Sequence, residues 1–214
     1  MYTAIVVAGG VGNRAGFPHN KVLHEIHGKP LVAYALEAFN ADSDCAEVVL
    51  VAHRDDLGVM ALRFSDLVDD VVPGGVTRQD SVMSGLERAR SDMVIVHDGA
   101  RPFVPVLEPL KQAALTHGAA TFAIPVNETV KRVVEDVVID DVDRTNLMLV
   151  QTPQAFMRTL LVEAYERVAD RVFTCEAGLV TSVLHHPVKV VLGDRRNVKL
   201  TTPDDVVLLA CVLS

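Results

Sequence analysis

The chain has 214 residues, 50% of them hydrophobic, and a formal net charge of −8 at pH 7. This length predicts one domain, residues 1–214, with a substantial core, and the acidic balance argues against a general nucleic-acid-binding protein. The apolar N-terminal run is too short for a membrane span and lacks a signal-peptide pattern, while three widely spaced cysteines predict a reduced, cytoplasmic protein.

Strand-like and helix-like segments alternate along the chain. Short apolar runs predict strands at 3–8, 47–52, 70–72, 93–97, 120–126 and 188–192. Amphipathic segments predict helices at about 30–39, 55–64, 78–90, 106–117, 157–169, 176–185 and 203–212. This order predicts an α/β fold with a doubly wound, mostly parallel sheet, whose ligands bind outside the carboxyl ends of the strands.

The first predicted strand runs directly into a glycine-rich loop. Gly9, Gly10 and Gly12 let backbone N–H groups approach a ligand closely. Arg14 adds a guanidinium and Lys21 an ammonium before any helical pattern begins. The loop therefore suits a small polyanion such as a triphosphate.

Residues 10–15 also match the G-x-G-x-x-G/A pattern of dinucleotide-binding proteins. That pattern requires a helix starting at the glycines and, about 20 residues further on, an acid at the end of a second strand. Here Pro18 and Gly28 prevent one continuous helix, and Glu37, the acid at that distance, lies within a predicted helix. The spacing favours the phosphate loop over the dinucleotide site.

A second motif, His97-Asp98-Gly99-Ala100-Arg101-Pro102, follows a buried strand. A carboxylate at the end of a strand can hold a ribose hydroxyl or a Mg²⁺ ion that bridges phosphates. Alternatively, Asp98 caps the next loop and pairs with Arg101. Its position at the strand's carboxyl end favours the functional interpretation.

Residues 127–149 break the alternation, because valine-rich runs and a polar turn replace the expected helix. We predict an extended β-arm at about 127–150. It is either a surface flap or an arm that pairs with a second subunit. Exposed valine and isoleucine edges need cover, which favours the arm and a homodimer.

Taken in order, these motifs resemble the 2-C-methyl-D-erythritol 4-phosphate cytidylyltransferase family of the non-mevalonate isoprenoid pathway. The resemblance covers nearly the whole chain. Its most specific parts are His-Asp-x-Ala-Arg-Pro at 97–102 and Asn-x-Lys-x-Thr at 197–201. The remaining matches are the first loop, Gly74-Gly75-x-x-Arg78-x-Asp80-Ser81-Val82, Glu128-Thr129-Val130-Lys131, Asp143-Arg144 and Thr152-Pro153-Gln154.

The resemblance implies a Rossmann-like nucleotidyltransferase domain. Its reaction would be in-line attack of a polyol phosphate on the α-phosphorus of CTP, with Mg²⁺ present and pyrophosphate leaving. The resemblance gives catalytic roles to Arg14, Lys21 and Lys199, and nucleotide-binding roles to Ala8, Gly9, Gly10, Gly12, Gly75, Ser81 and Asp98, with Asp98 also near the metal. It gives polyol-phosphate binding to Thr129, Arg144, Thr174 and Lys199, of which Thr129 and Arg144 would come from the partner subunit's arm.

Two alternatives remain open at this stage. Ribitol-5-phosphate cytidylyltransferases share the first loop and the arm, although Ala100 favours methylerythritol phosphate. A non-catalytic, nucleotide-sensing paralogue is the other, and the retention of Arg14, Lys21 and Lys199 argues against it. The chain also departs from the family pattern in having His19-Asn20 before the lysine, Val76 where an acid is common, and Cys175 followed by Glu176 where an acid directly follows the threonine.

Overall fold

The computed structural model describes residues 1–10 and 20–214. Gly12 and Arg14, which we expect in the phosphate loop, lie outside the described residues. The strands are β1 (Tyr2–Ala8), β2 (Glu25–Ile26), β3 (Lys29–Pro30), β4 (Cys45–Ala52), β5 (Asp70–Pro73), β6 (Met93–Asp98), β7 (Ala119–Pro125), β8 (Lys131–Val134), β9 (Val137–Asp141), β10 (Met148–Met157) and β11 (Lys189–Leu192). The helices are α1 (Leu31–Asn40), α2 (Leu57–Arg63), α3 (Arg78–Arg88), α4 (Glu108–His117), α5 (Arg158–Glu166), α6 (Glu176–Leu184) and α7 (Asp205–Val212), with 3₁₀ turns at Lys21–Leu23 and Arg54–Asp56.

Seven of these strands form one sheet in the order β11-β7-β10-β6-β1-β4-β5. β1 pairs in parallel with β4 and β6, β4 with β5, and β7 with β11, whereas β10 runs antiparallel to both of its neighbours. The predicted doubly wound, mostly parallel sheet is thereby confirmed. None of the helices in the described residues is long and apolar enough to cross a membrane.

Helices cover both faces of the sheet because its central strands are apolar on both sides. Along β1, Ala4 and Val6 pack in one cluster with residues of α1, α2 and α4. Ile5 points the other way and packs with residues of α3, α5 and α6. Gly85 of α3 brings that helix close to β1, since a Cβ at this position would collide with the Ile5 side chain. Close helix packing fixes the loop that precedes α3 relative to the end of β1.

Residues 131–141, within the predicted arm, form a β-hairpin. β8 and β9 pair antiparallel, and both are exposed along their whole length. Their turn places Glu135 and Asp136 at positive φ, 48° and 63°. Consecutive positive φ values match the right-handed twist of a two-stranded ribbon.

The structure corrects the expectation for residues 147–157. The apolar run at 147–150 is expected to belong to the arm, but Met148–Val150 pair with β7 and begin a central strand that continues to Met157. The second half of β10 is buried although it reads Gln-Thr-Pro-Gln. Its polar side chains have specific partners: Gln154 Oε1 accepts from Ala177 N at 3.0 Å, and Gln151 Nε2 donates to Asp194 O at 2.9 Å. Burial of such residues depends on partners remote in sequence, so the apolar pattern misses this strand.

Candidate active site

A cavity of about 340 Å³ opens at the carboxyl ends of β1, β5 and β6. Among the described residues that line it, three carry cationic side chains, Lys21, Arg78 and Lys199, and Asp98 carries the only carboxylate. The other lining residues are Val7, Ala8, Gly9, Gly10, Val22, Gly75, Val76, Thr77, Ser81, Ala100 and Thr201. A pocket that combines excess positive charge with backbone from glycine loops suits a phosphorylated ligand.

Most of the described candidate residues meet at this cavity. Ala8, Gly9, Gly10, Lys21, Gly75, Ser81, Asp98 and Lys199 all line it. Thr129, Arg144 and Thr174 are exposed and are not among the lining residues. The Arg144 guanidinium instead donates to the carbonyl oxygen of Asn127, within the arm.

The loop after β5 is held by its own side chains. Thr77 and Asp80 form a reciprocal cap, with Thr77 Oγ1 accepting from Asp80 N at 3.1 Å and Asp80 Oδ2 accepting from Thr77 N at 2.9 Å. The Ser81 hydroxyl accepts from Gly75 N at 3.2 Å and donates to Thr77 O at 2.9 Å. Gly75 must lack a side chain, because a Cβ there would collide with that of Asp80. Ser81 therefore shapes the loop that faces the ligand.

Lys21 reaches the cavity from a turn that Asn20 ties to the sheet. The buried Asn20 amide donates to Ala8 O and to Asp56 Oδ2, each at 2.9 Å. Lys21 Nζ donates to Leu200 O at 2.7 Å. The departure from the family pattern at Asn20 thus leaves the lysine anchored between the end of β1 and the segment that carries Lys199.

Asp98 is the electrostatic centre of the cavity. Arg78 Nε donates to Asp98 Oδ1 at 3.0 Å, and Lys199 Nζ donates to Oδ2 at 2.7 Å. The alternative pairing with Arg101 is much longer, with 4.0 Å between Nε and Oδ2. Burial alone would raise the pKa of Asp98, but the charges of Arg78 and Lys199 hold this pKa well below its usual range. The carboxylate is therefore ionised at neutral pH and divides its oxygens between two cations.

Glu176 belongs to the same cluster, although the sequence pattern did not single it out as a site residue. Its side chain is 2% exposed, and its two oxygens accept from Arg78 Nη1 and Nη2 at 2.6 and 3.0 Å. Tyr165 donates its hydroxyl to Glu176 at 3.3 Å. Arg78 thus bridges two carboxylates, one of them in the cavity and the other buried behind it. The sequence did contain one signal for Glu176: the family has an acid directly after the threonine, whereas here the acid follows one position later.

His97 holds the backbone beside Asp98. Thr152 Oγ1 accepts from Asp98 N at 3.0 Å and lies 3.2 Å from His97 Nδ1, while His97 Nε2 lies 2.8 Å from Arg101 O. A carbonyl oxygen can only accept, so Nε2 carries the proton and Nδ1 accepts from the threonine hydroxyl. Complete burial lowers the pKa of His97 to about 4, which agrees with this neutral tautomer.

Lys199 is positioned by a buried asparagine two residues before it. Asn197 Nδ2 donates to Thr152 O at 2.7 Å, and Arg101 Nη1 donates to Asn197 O at 2.6 Å. Leu200 N then donates to Ala100 O at 2.8 Å. The closing Asn-x-Lys-x-Thr segment is therefore fixed against β10 and against the loop that follows Asp98.

A doubly wound sheet with this cation-lined cavity at its strand ends is the architecture of an α/β nucleotidyltransferase. A family profile for 2-C-methyl-D-erythritol 4-phosphate cytidylyltransferase matches residues 2–214. An enzyme of that name from Geobacillus thermodenitrificans is 40% identical over 222 residues, covering 100% of this chain and 97% of the relative. The chain belongs to this family, whose members are CTP-dependent nucleotidyltransferases.

Solved structures agree with this assignment. A 2-C-methyl-D-erythritol 4-phosphate cytidylyltransferase from Thermus thermophilus is 31% identical with a TM-score of 0.83, covering 98% of this chain and 97% of the other. A 4-diphosphocytidyl-2C-methyl-D-erythritol synthase from Anaerococcus prevotii is 27% identical with a TM-score of 0.86, covering 99% and 95%. The family and the fold thus agree over nearly the whole chain.

Proposed function

We propose that this chain transfers the cytidylyl group of CTP to 2-C-methyl-D-erythritol 4-phosphate, giving the CDP-alcohol and pyrophosphate. The observation that carries the proposal is the cavity that Lys21, Arg78 and Lys199 line together with Asp98, in a chain that belongs to this family. The family relatives do not favour the ribitol-phosphate alternative. The three cations also argue against a catalytically dead nucleotide sensor.

The chemistry needs positioning and charge stabilisation rather than a covalent intermediate. An oxygen of the polyol phosphate attacks the α-phosphorus while the bond to the β-phosphate breaks, and the pyrophosphate leaves with the bonding electrons. Lys21, together with Arg14, would stabilise the negative charge that grows on the α-phosphate and the leaving group. Lys199 would contact both the α-phosphate and the attacking phosphate.

The cavity also has the right acid for a magnesium ion that arrives with the triphosphate. In the described residues no group of three or more His, Cys, Asp or Glu side chains could form a metal cage. Mg²⁺ typically uses one or two carboxylates together with substrate phosphates, so Asp98 alone fits this role. When bound, the ion would neutralise phosphate charge, and Asp98 would contact the ribose and lie near the ion.

The nucleoside would lie against the loop backbone. Ala8 ends the first strand, and Gly9 and Gly10 follow it. Gly75 lines the cavity, and its backbone N–H donates to the Ser81 hydroxyl. Gly12, to which the family resemblance gives a nucleotide-binding role, lies outside the described residues. Glycine allows such close approach because no Cβ stands between the backbone and the ligand.

The polyol phosphate would be held by Thr174 and by the arm of a second subunit. Thr129 and Arg144 are exposed on or beside the arm, and Val133, Val134, Val137, Val138 and Ile139 are each more than half exposed there. A two-stranded ribbon with such an apolar surface gains stability by pairing with a second copy. In a two-fold dimer, each arm would then complete the other subunit's site.

A pyrophosphate-release assay tests the activity directly. The enzyme is supplied with CTP, Mg²⁺ and either methylerythritol phosphate or ribitol phosphate. Release with methylerythritol phosphate and a much lower rate with ribitol phosphate supports the proposal. The opposite preference, or no release with either substrate, contradicts it.

Subunit mixing tests the arm separately. Arg144→Ala and Lys21→Ala, each nearly inactive alone, are mixed under conditions in which subunits exchange. A mixed dimer then holds one site with both residues intact, and random exchange returns activity to about a quarter of wild type for a two-fold dimer. Demonstrated exchange without recovery would place Arg144 in the site of its own chain. A monomer at assay concentration would also exclude the arm mechanism.

Two further expectations remain predictions. The chain should behave as one cooperative unit, because a single domain is expected over residues 1–214. A cytoplasmic location, expected from the sequence, would be tested by fractionating cells that express the protein.

A further inference from the structure

The proposed chemistry leaves Arg78 and Glu176 without a role, although both belong to an ion-pair chain that ends at Asp98 in the cavity. Arg78 donates through Nε to Asp98 and through both terminal nitrogens to Glu176. Asp98 therefore binds the guanidinium at Nε, and Glu176 binds it at the two terminal nitrogens. A planar fork bound at three nitrogens has little freedom to rotate.

The two carboxylates differ in their access to a ligand. Asp98 lines the cavity, whereas Glu176 is nearly fully buried at the first turn of α6 and does not line it. A buried charge is costly unless it is paired, and Glu176 meets this requirement with Arg78 and the Tyr165 hydroxyl. Glu176 cannot touch the nucleotide itself, so any effect on the reaction must pass through Arg78.

The expected effect of Glu176 on Asp98 follows from the fact that both carboxylates bind Arg78. Burial would lower the pKa of Arg78, but Glu176 and then Asp98 raise it, so the guanidinium stays charged. Without the Glu176 charge, Asp98 would be the one ionic partner left to Arg78 among the described residues, and the guanidinium could follow Asp98 or a ligand phosphate. Asp98 would then lose one of the two fixed cations that orient its oxygens.

We propose that Glu176 is a positioning residue, which holds Arg78 across Asp98 so that the Asp98 carboxylate keeps one orientation toward the bound nucleotide. This inference rests on the proposed function in assigning the nucleotide to the Asp98 cavity. It also gives a reason for the shifted acid after Thr174. The charge that positions Arg78 lies at Glu176, so Cys175 need not supply it.

A double-mutant cycle tests the inference. Glu176→Gln keeps the size of the side chain and removes its charge, and Asp98→Asn does the same at the other end of Arg78. In the wild-type background, Glu176→Gln is expected to weaken CTP binding and kcat/KM by about 10- to 100-fold, as for other groups that orient a ligand-binding side chain. In the Asp98→Asn background, the same change should have an effect of less than about threefold, since neighbouring groups that act as a unit are not additive.

Tyr165→Phe is the matched control. It removes the 3.3 Å hydrogen bond to Glu176 but leaves the ion pair to Arg78 in place. Its kcat/KM should stay within about twofold of wild type, even where the melting temperature falls, because the ion pair that positions Arg78 is unchanged. If Glu176→Gln does not fold, Glu176→Asp replaces it in the cycle. Because this variant keeps the charge, its kcat/KM should fall by less than the 10- to 100-fold expected for Glu176→Gln.

The inference is overturned if Glu176→Gln keeps wild-type CTP affinity. It is also overturned if the loss of kcat/KM in the double variant equals the product of the losses in Glu176→Gln and Asp98→Asn. Failure of the proposed function is distinguishable, because wild-type protein would then release no pyrophosphate from CTP and methylerythritol phosphate. CTP binding measured by calorimetry completes the cycle without turnover. Wild-type protein that binds no CTP overturns both.

Discussion

The buried histidine beside Asp98 makes a prediction about stability that is independent of the reaction. His97 is fully buried and neutral, between the Thr152 hydroxyl and the Arg101 carbonyl. Burial lowers its pKa from 6.5 to about 4, and the charges of Arg101 and Lys199 act in the same direction, while Asp98 opposes them. Protonation would therefore add a further positive charge beside these two cations and reverse the polarity of the Nδ1 hydrogen bond.

The size of the effect follows from linkage. In the unfolded chain His97 binds a proton as the pH falls below about 6.5, whereas in the folded protein it does so only near pH 4. The unfolded state binds more protons in this window, so stability falls as the pH is lowered through it. A difference of about 2.5 pKa units corresponds to about 3 kcal/mol of stability, which is fully present above about pH 7 and is lost by about pH 4.

Urea unfolding at a series of pH values from 4 to 8 measures this loss. His97→Gln keeps a donor and removes the titration, so its free energy of unfolding should be lower than wild type at pH 7 but flatter between pH 6.5 and 4. His117→Gln, at an exposed position on α4, should keep the wild-type slope. A wild-type protein that loses no stability in this window, or a His97→Gln variant with an unchanged slope, would refute the reasoning.

Three further predictions concern the loop lysine, the metal and the packing of α3. Lys21→Ala should lower kcat by about 10²–10³-fold while changing KM for CTP much less, because a charge aimed at the transition state acts on the chemical step. A near-wild-type kcat in steady-state kinetics would contradict the role assigned to Lys21. A chelator should abolish pyrophosphate release and leave the melting temperature unchanged, because the triphosphate would supply most of the ligands of Mg²⁺. A large fall in the melting temperature on adding the chelator would point to a structural metal instead. Gly85→Ala should lower the free energy of unfolding by about 1–3 kcal/mol, because the added methyl would meet Ile5 and Val51 in a close-packed core; an unchanged urea midpoint would show that the helix can move away.

Local patterns were sufficient to predict the layout of this protein. Continuous apolar runs such as residues 93–96 are typical of strands buried on both faces, and their alternation with helical segments predicted the doubly wound sheet. The same layout predicted that the loops after β1 and β6 would meet, because parallel strands end at one edge. Lys21 and Asp98 were found by this reasoning, without knowledge of any contact.

The tertiary structure alone decided which polar groups are partners. β10 was missed because Gln151, Thr152 and Gln154 are buried through hydrogen bonds to residues up to 55 positions away, which no local apolar pattern records. Glu176 was not recognised because it lies 98 residues from Arg78. Hydrophobic burial depends on the character of each side chain and repeats with the period of its helix or strand, so the sequence can predict it. An ion pair or a hydrogen bond depends on two specific side chains meeting in space, and only the folded chain brings those atoms together.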